Sequence, residues 1–534
     1  MIKERVPSKC DALIIGSGGA GLVAALTVKD LRPDWSVWLV EQSNSIGGAT
    51  SYSGGVCWLP GHRFKKDPSK DSELARIYLK NTYPAIDDAC LNGFLNDSPR
   101  LLDFMISKGL QLETLPDYPD YYQELEGASA GRSISALVYK GPKMIRSLVR
   151  RLPWFFPSFS VKEFMEWGPH RMGRWKKTVM VKRTVLGHLA MGRAFIGYLL
   201  DACLNAGIDI ALSGKAEGLL IQNAEVTGAV VSGHRVSAPI VIMGCGGFSH
   251  HPELMKRLAT ARPVLSVAPE ECDDGGGLSL ALNADLKVGN PYCWWMPLMK
   301  LYGEDEKKPG PDLWAYYPTV YDRARPGGIM VDAEGRRFTN EAACYNTVGG
   351  IMALNKDPSL DRIWLIWGSY YVKNYPRGIT INLQPAKSYM NKSRSVDELA
   401  GKIGVPAANL KETLEHWNEM AARGRDDDFH RGESAYDRFT GDRFYQGHPN
   451  IGPVEAPFQA VRLHPGCLGT KMGPVTDEFG RVQSEDGKIV SGLYAAGNAA
   501  ASLFGDTYPG AGATLGQACV FGFRAAYHAS GVKM

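Results

Sequence analysis

An α/β fold, with a doubly wound parallel sheet interrupted by an inserted α+β cap, is what three features of this 534-residue chain predict. Near the start, Asp11-Ala-Leu-Ile-Ile-Gly16-Ser-Gly18-Gly19-Ala-Gly21 joins an apolar run to glycines at GxGxxG spacing, and 25 residues after Gly16 the run Val37-Trp-Leu-Val-Glu41 ends in an acid. Near the end, Gly492-Leu-Tyr-Ala-Ala-Gly497-Asn498 is another strand closing on glycine, and it needs partners from the first half. Between them, from about residue 290, the texture changes. Aromatics cluster at Trp294, Trp295, Trp314, Tyr316 and Tyr317, charge runs appear at Glu304–Lys308, and helical periodicity recurs at Val396–Ile403 and Leu410–Ala422. The predicted division is therefore residues 1–289 with 452–534 as one domain and 290–451 as the cap.

The first feature reads as strand, tight turn, helix N-terminus and second strand, the arrangement of a dinucleotide site. Gly16 permits the turn, Gly18 and Gly19 lie where backbone approaches a pyrophosphate, Gly21 allows close helix packing, and Glu41 can accept from a ribose diol. The stretch Ile46-Gly-Gly48-Ala-Thr50-Ser51-Tyr-Ser53-Gly54-Gly55 is too rich in Gly, Ser and Thr for a helix or strand interior. It suits a loop around a second phosphate and a flavin ring. After Gly497 and Asn498, Tyr508-Pro-Gly-Ala-Gly512-Ala-Thr514-Leu515-Gly516 opens an apolar helix whose dipole would favour negative charge at the N1/C2 edge of a reduced isoalloxazine. A third strand, Pro239-Ile-Val-Ile-Met-Gly-Cys-Gly246-Gly247, closes over the adenine end. Together these predict a Rossmann-type FAD-binding domain. Within it, Leu186–Leu204 reads as a helix, strands are expected near Ile208–Ala211, Gly218–Ile221 and Val226–Val231, and the patch Glu271–Gly277 precedes a helix at Leu278–Asn283.

At 44% hydrophobic content the chain can bury a large core divided between two or more domains. Its ten cysteines show no CxxC pair and no metal-ligand spacing, which points to a reducing compartment without disulfide framework or metal site. The nucleotide-binding strand begins at about residue 10, leaving no room for a leader, and there is no apolar run of spanning length, so a cytoplasmic chain is expected. One stretch breaks the even charge. From Lys143 to His188 eleven Lys or Arg face two acids, Glu163 and Glu166, a balance of +9 in a chain whose total is +4. Trp154, Phe155, Phe156, Phe159, Phe164, Trp167 and Trp175 are interleaved with these charges. Cations mixed with amphipathic aromatics suit an anionic bilayer on which segment 143–188 would rest, peripheral to the inner face of the membrane. A solvated charged face over core aromatics is the plainer alternative. Nucleic acid is not expected, since no base-stacking platform accompanies the charge.

Several pieces in order along nearly the whole chain now form a pattern. They are Gly47-Gly-Ala-Thr-Ser-Tyr-Ser-Gly-Gly55 with Trp58-Leu-Pro-Gly61, Pro119-Asp-Tyr121-Tyr122, Gly131-Arg-Ser133, Arg337-Phe-Thr-Asn340-Glu341-Ala-Ala-Cys-Tyr345, Phe429-His-Arg-Gly-Glu433, Leu468-Gly-Thr-Lys471 and Tyr508-Pro-Gly-Ala-Gly512. This pattern resembles the 3-ketosteroid Δ1-dehydrogenases, flavoproteins of the superfamily that includes fumarate reductases. The resemblance implies non-covalent FAD, a 3-ketosteroid substrate and removal of hydrogen from C1 and C2. It also implies that Tyr345, acidified by the site, takes the C2 proton with Tyr121 hydrogen-bonded beside it. Tyr508 and the Gly512 N–H then hold the developing enolate oxygen, and the C1 hydride goes to flavin N5. His430 is read as structural.

Two departures stand out: Asp274-Gly275-Gly276 occurs where Thr-Gly-Asp is expected, and Cys344 precedes Tyr345 where Pro is expected. The basic segment follows Tyr121 and is placed at the mouth of the cleft, which favours side-chain-bearing sterols such as cholest-4-en-3-one drawn from lipid. A 3-ketosteroid Δ4(5α)-dehydrogenase would use the same carbonyl polarisation and tyrosine base. A fumarate reductase-like enzyme needs convergent Arg and His donors, which Leu463-His-Pro-Gly-Cys-Leu-Gly-Thr470 does not resemble. With no second nucleotide motif, haem site or iron–sulfur spacing, the expected electron acceptor is a quinone or other small oxidant.

Overall fold

The computed structural model describes residues 1–151, 158–168, 174–258, 260, 262–268, 272–300, 316–375 and 389–533. Trp154, Phe155, Phe156, Glu271, Glu304–Lys308 and Trp314 lie outside the described residues. Five strands run parallel through a ten-stranded sheet, in the order Asp209–Leu212, Val37–Glu41, Ala12–Ile15, Ile240–Met243, Ile489–Ala495. They are short aliphatic runs, and Ala12–Ile15 is wholly buried, as a parallel strand covered by helices on both faces must be. Val241 pairs with Leu13 on one side and Leu493 on the other, so a strand from the end of the chain completes the sheet begun by the first half. Gly16, Gly244 and Gly497 follow the carboxyl ends of three adjacent strands, which is where a doubly wound sheet opens a crevice.

The glycines of the first turn are needed for packing. Gly16 has φ +99°, and a Cβ on Gly21 would stand 1.9 Å from the Gly16 carbonyl oxygen. The helix Gly19–Leu31 packs against Met191–Asn205 and Ala513–Ala529. The expected helix at Leu186–Leu204 is observed as Met191–Asn205, because Gly187 at φ +65° ends a separate helix, Lys177–Val185. The three following strands are Asp209–Leu212, Ala216–Gln222 and Glu225–Val231.

A second sheet is ordered Tyr316–Pro318, Cys293–Lys300, Phe458–Thr470, Ile363–Trp367, Gly328–Val331, all neighbours antiparallel. Leu265–Ser266 and Asn391–Ser393 also pair with Phe458–Thr470. That 13-residue strand and Leu265–Ser266 thus belong to the second sheet although both lie outside 290–451, and the chain rejoins the first sheet at Arg481–Gln483. Helices Val396–Ile403 and Ala407–Arg423 cover this sheet, packing Leu399, Leu410 and Trp417 on Ile329, Val331 and Ile366. A buried ion network fixes the approach to Tyr345. Arg337 bridges Glu341 at 2.8 Å and Asp426 at 2.7 Å, Arg431 reaches Glu341 at 3.2 Å, and Arg323 donates to the carbonyls of Glu341 and Ala343.

The basic segment differs from expectation in where its aromatics point. Phe159, Phe164, Trp167 and Trp175 are buried and pack on one another, and Phe164 meets Tyr321. These rings face the protein and not an outer surface, because stacking removes more apolar area from water than exposure at a rim. What the segment exposes is the helix Lys177–Val185, none of whose residues is buried: Val181 is 62% and Val185 81% exposed, beside Lys177 and Lys182. Among the described residues no helix is long and apolar enough to cross a membrane.

Candidate active site

One continuous cavity of about 460 Å³ runs from the glycine turns to the predicted tyrosines. Its wall includes Gly16, Gly18, Gly19, Glu41, Gly48, Thr50, Ser53, Gly54, Gly246, Gly497, Asn498, Thr514 and Leu515. Gly21, Ser51, Gly55 and Gly247 do not reach it. Gly21 is spent on the Gly16 carbonyl, Ser51 is buried beneath Gly47, Gly55 abuts the Met191–Gly192 backbone, and Gly247 abuts Thr470. They shape the wall from behind. Glu41 lines the cavity and also braces the turn: one carboxylate oxygen accepts from Ser17 N at 3.0 Å and Ser17 Oγ at 2.5 Å, the other from Ser43 N at 2.9 Å.

The cradle fits a dinucleotide. A Cβ added at Gly18 would find its nearest protein atom 3.7 Å away, and one at Gly48 would meet nothing within 4 Å. At Gly18, whose φ is −69°, the chain itself does not require glycine; at Gly48 the left-handed φ of +49° favours it; at both the bare backbone leaves room for a ligand. Across the cavity, the 17-residue helix Ala513–Ala529 presents its N-terminus, entered through Gly512 at φ +91°. Asp273, one residue before the departing Asp274-Gly275-Gly276, also lines the wall and accepts from Gly247 N at 2.7 Å and Ser249 N at 3.0 Å. Asp274 turns away to cap Gly276 and to pair with Lys215 at 3.0 Å.

Tyr121, Tyr345 and Tyr508 come together from three distant parts of the chain. The Tyr121 hydroxyl donates to that of Tyr345 at 2.6 Å, and the ring centroids lie 5.2 Å (121–345), 5.3 Å (121–508) and 5.4 Å (345–508) apart. The Thr514 hydroxyl donates to Tyr508 Oη at 3.0 Å. Tyr345 is the first residue of the helix Tyr345–Leu354, whose Asn346 accepts from Trp295 N at 3.0 Å and donates to Asp506 O at 3.1 Å. Cys344 occupies the N-cap with its thiol 3.2 Å from Thr347 Oγ1.

The electrostatics correct one expectation. Burial pushes the Tyr345 phenol well above the ordinary tyrosine value, helped by Tyr508, Tyr118 and Tyr436, while the bond from Tyr121 pulls it down. Burial likewise raises Tyr121, and it raises Tyr508 against the opposing pull of Thr514, Tyr345 and the Gly512 N–H. These side chains alone do not acidify the base, because desolvation of three clustered phenols outweighs the hydrogen bonds among them.

The sequence reading gave no place in the site to Tyr118, Tyr317 or Tyr321, all of which line the cavity, nor to its apolar wall of Val161, Phe164, Met165, Met296, Val320 and Leu468. Tyr118 hydrogen-bonds with Tyr121 and Tyr321, extending the cluster. Its nearness to Tyr121 in the sequence was the available signal. For Phe164 the signal was the aromatic density of 143–188; of its described aromatics, Phe159, Phe164, Trp167 and Trp175 face inward.

A nucleotide cradle joined to a phenol cluster defines the chain as a flavoprotein oxidoreductase. The FAD binding domain family matches residues 11–132 and 117–515, and the cofactor is FAD. More narrowly, the chain belongs to the 3-oxosteroid 1-dehydrogenase family, being 32% identical to the Mycobacterium tuberculosis member over 97% of this chain and 98% of that one. It is also 30% identical to the 4-oxocyclohexanecarboxylate 2-dehydrogenase of Sinomonas cyclohexanicum, over 97% of this chain and 92% of that one. The crystal structure of the 3-ketosteroid Δ1-dehydrogenase of Sterolibacterium denitrificans in complex with 1,4-androstadiene-3,17-dione superposes with TM-score 0.89 at 28% identity, covering 99% of this chain and all of that one.

The cradle yields a paired prediction. Gly18→Ala should fold with unchanged apoprotein stability but bind FAD about tenfold or more weakly, its methyl filling ligand space. Gly21→Ala should lower apoprotein stability by about 1–3 kcal/mol through overpacking. Thermal unfolding of the apoproteins and titration of flavin fluorescence separate the two; equal FAD affinity in Gly18→Ala and the parent would remove Gly18 from the site.

Proposed function

We propose that this chain dehydrogenates 3-ketosteroids between C1 and C2, with FAD held non-covalently. The observation that carries this reading is the Tyr121–Tyr345–Tyr508 cluster beside Gly512, on the same cavity as the glycine cradle. The Tyr508 hydroxyl and the Gly512 N–H bind the C3 carbonyl oxygen and take up charge as the enolate forms. Tyr345 removes the C2 proton. A phenol raised by burial is a strong base once ionised, and the short bond from Tyr121 stabilises the ionised form. Bound FAD would accept the hydride leaving C1. The apolar wall beyond the tyrosines suits a fused ring system. Among the described residues that wall carries no Lys, Arg or His to receive a carboxylate.

Two domains follow the two sheets in this reading: 1–289 with 452–534 around the cofactor, and 290–451 as the cap, to which Phe458–Thr470 adds its central strand. The exposed Lys177–Val185 helix rests on an anionic bilayer at its inner face, close to Phe164 and Met165 at the cavity wall. That placement favours side-chain-bearing sterols as substrates and a membrane quinone as electron acceptor.

Anaerobic addition of androst-4-ene-3,17-dione or cholest-4-en-3-one should bleach the flavin and give a 1,4-dien-3-one by mass. Tyr508→Phe should slow bleaching about 10²- to 10³-fold. Reaction only with saturated 5α-steroids would assign the Δ4(5α) chemistry instead, and bleaching only by 4-oxocyclohexanecarboxylate would assign a monocyclic ketone. Because only ionised Tyr345 is active and its phenol is raised, the bleaching rate should climb with pH without levelling below about pH 10. Tyr121→Phe should shift the climb to higher pH, and a plateau reached below neutrality would reject Tyr345 as base. For the surface helix, Val181→Asp with Val185→Asp should reduce sedimentation with anionic liposomes about tenfold, leaving androstenedione turnover unchanged; undiminished sedimentation rejects the contact.

A further inference from the structure

Lys471 closes Leu468-Gly-Thr-Lys471, a motif that the chemistry above leaves unused. Its side chain is fully buried, yet its hydrogen bonds go to main-chain carbonyls: Nζ donates to Gly505 O at 2.9 Å and to Thr507 O at 2.6 Å. The same nitrogen lies 4.0 Å from the centroid of the Trp294 ring. Trp294 meets Tyr508 edge to face with centroids 4.6 Å apart, and its Nε1 donates to Asn498 Oδ1 at 3.2 Å. The main chain repeats the tie, since Lys471 N donates to Tyr292 O at 2.8 Å and Ser502 N donates to Lys471 O at 3.0 Å. Burial draws the lysine down to about 7 while Asp506 pulls it upward.

A buried lysine is costly to desolvate, and a leucine or methionine could have filled the same volume. The lysine instead grips two carbonyls of the turn that leads into Tyr508, those of Gly505 and Thr507, and lies against the indole that meets the Tyr508 ring. We propose that Lys471 is a positioning residue for the carbonyl-binding tyrosine: by clamping the Gly505–Thr507 turn and backing Trp294, it fixes the Tyr508 hydroxyl where the enolate oxygen forms. This inference rests on the role given to Tyr508 above. A lysine serving only the scaffold would set stability. A positioning lysine sets the chemical rate at nearly constant substrate affinity, and with it the ionisation of any ligand whose oxygen sits on Tyr508.

The test is Lys471→Met in the FAD-loaded protein. Flavin reduction by saturating androst-4-ene-3,17-dione should slow about 10²-fold, the loss attached to a displacement on the ångström scale. The half-saturating concentration should move by less than about threefold. An unreactive steroid with a phenolic A ring, whose ionisation is read from its absorbance, should bind in a less ionised form than in the parent. A rate within about twofold of the parent overturns the proposal, as does a rate loss with unchanged ionisation of the phenolic steroid. If Lys471→Met does not fold with FAD, Trp294→Leu leaves the lysine and both carbonyl bonds and removes the indole, with its ring contact to Tyr508 and its bond to Asn498; FAD affinity, read by flavin fluorescence, should stay at the parent value. It should slow reduction about tenfold with the same ionisation signature, and an unaltered rate overturns the proposal. Failure of the unmodified protein to reduce its flavin with either steroid would instead sink the Tyr508 reading, and this inference with it.

Discussion

The guanidinium of Arg132 is the joint on which the rest of the site hangs. Fully buried, it donates through Nε to Asp71 Oδ1 at 3.1 Å, through Nη1 to Asp120, and through Nη2 to the carbonyls of Asp71 and Gly127 at 3.2 and 3.1 Å. Asp120 in turn accepts from Trp58 Nε1 at 2.7 Å and from Ser129 N at 3.0 Å, and Asp71 accepts from Gly61 N at 2.9 Å. Three neighbours of this joint tie it to the site. Tyr121 follows Asp120 and donates its N–H to Pro509 O at 3.0 Å, Ser133 follows Arg132 and donates to Ala511 O at 2.8 Å, and Trp58 N donates to Gly512 O at 3.0 Å. Withdrawing one partner from such a buried set costs about 3–5 kcal/mol, because the remaining charge is stranded. Here it would also release the Tyr508–Gly512 loop from Tyr121.

This joint explains why four short motifs, scattered from Trp58 to Gly512, read as a family pattern before any contact was known. They are the ends of one hydrogen-bond network, so each is constrained in type and local spacing. The nucleotide cradle was legible for a simpler reason: its turn, helix and paired strand are local, and the Gly16–Gly21 contact spans five residues. The tyrosine cluster was not legible from spacing, since Tyr121 and Tyr345 are 224 residues apart and meet only in the folded chain. Only the resemblance singled them out, and it missed Tyr118 and Tyr321. The aromatics of 143–188 show the opposite failure. Composition registered their amphipathic company but carried no information on which side of the backbone faced inward, and Phe159, Phe164, Trp167 and Trp175 turned out to be core.

Proton chemistry in this cavity rests on phenols, and their burial gives the cluster its character. Each of the three tyrosines is raised by desolvation, and each has hydrogen-bond partners that oppose the rise. An ionised phenol here is therefore scarce but strongly basic, and its charge is shared along the Tyr121–Tyr345 bond. A cavity so arranged is suited to a weakly acidic proton beside a carbonyl, provided the carbonyl oxygen is polarised at the same moment. In the proposed mechanism the two requirements fall on neighbouring rings, Tyr345 and Tyr508, whose centroids are 5.4 Å apart.

An apolar polycyclic ketone offers the protein one polar atom to grasp, and positional accuracy must come from that atom and from shape. The helix Ala513–Ala529 answers this demand from both sides. Its entry residue, Gly512, carries the N–H beside Tyr508, and its next residues, Thr514 and Leu515, line the cofactor end of the same cavity. Thr514 also donates to the Tyr508 hydroxyl, so a residue of the glycine-cradle end and the phenol proposed to hold the carbonyl are joined by one hydrogen bond. A Cβ on Gly512 would stand 2.4 Å from Val56 O, which leaves this turn no freedom to slide along the three-stranded sheet of Val56–Trp58, Ser133–Ala136 and Leu112–Thr114. In the proposed mechanism, steroid and flavin are thereby referred to a single helix end. Their mutual distance is set by the backbone and does not depend on recognition of a charged group on the substrate.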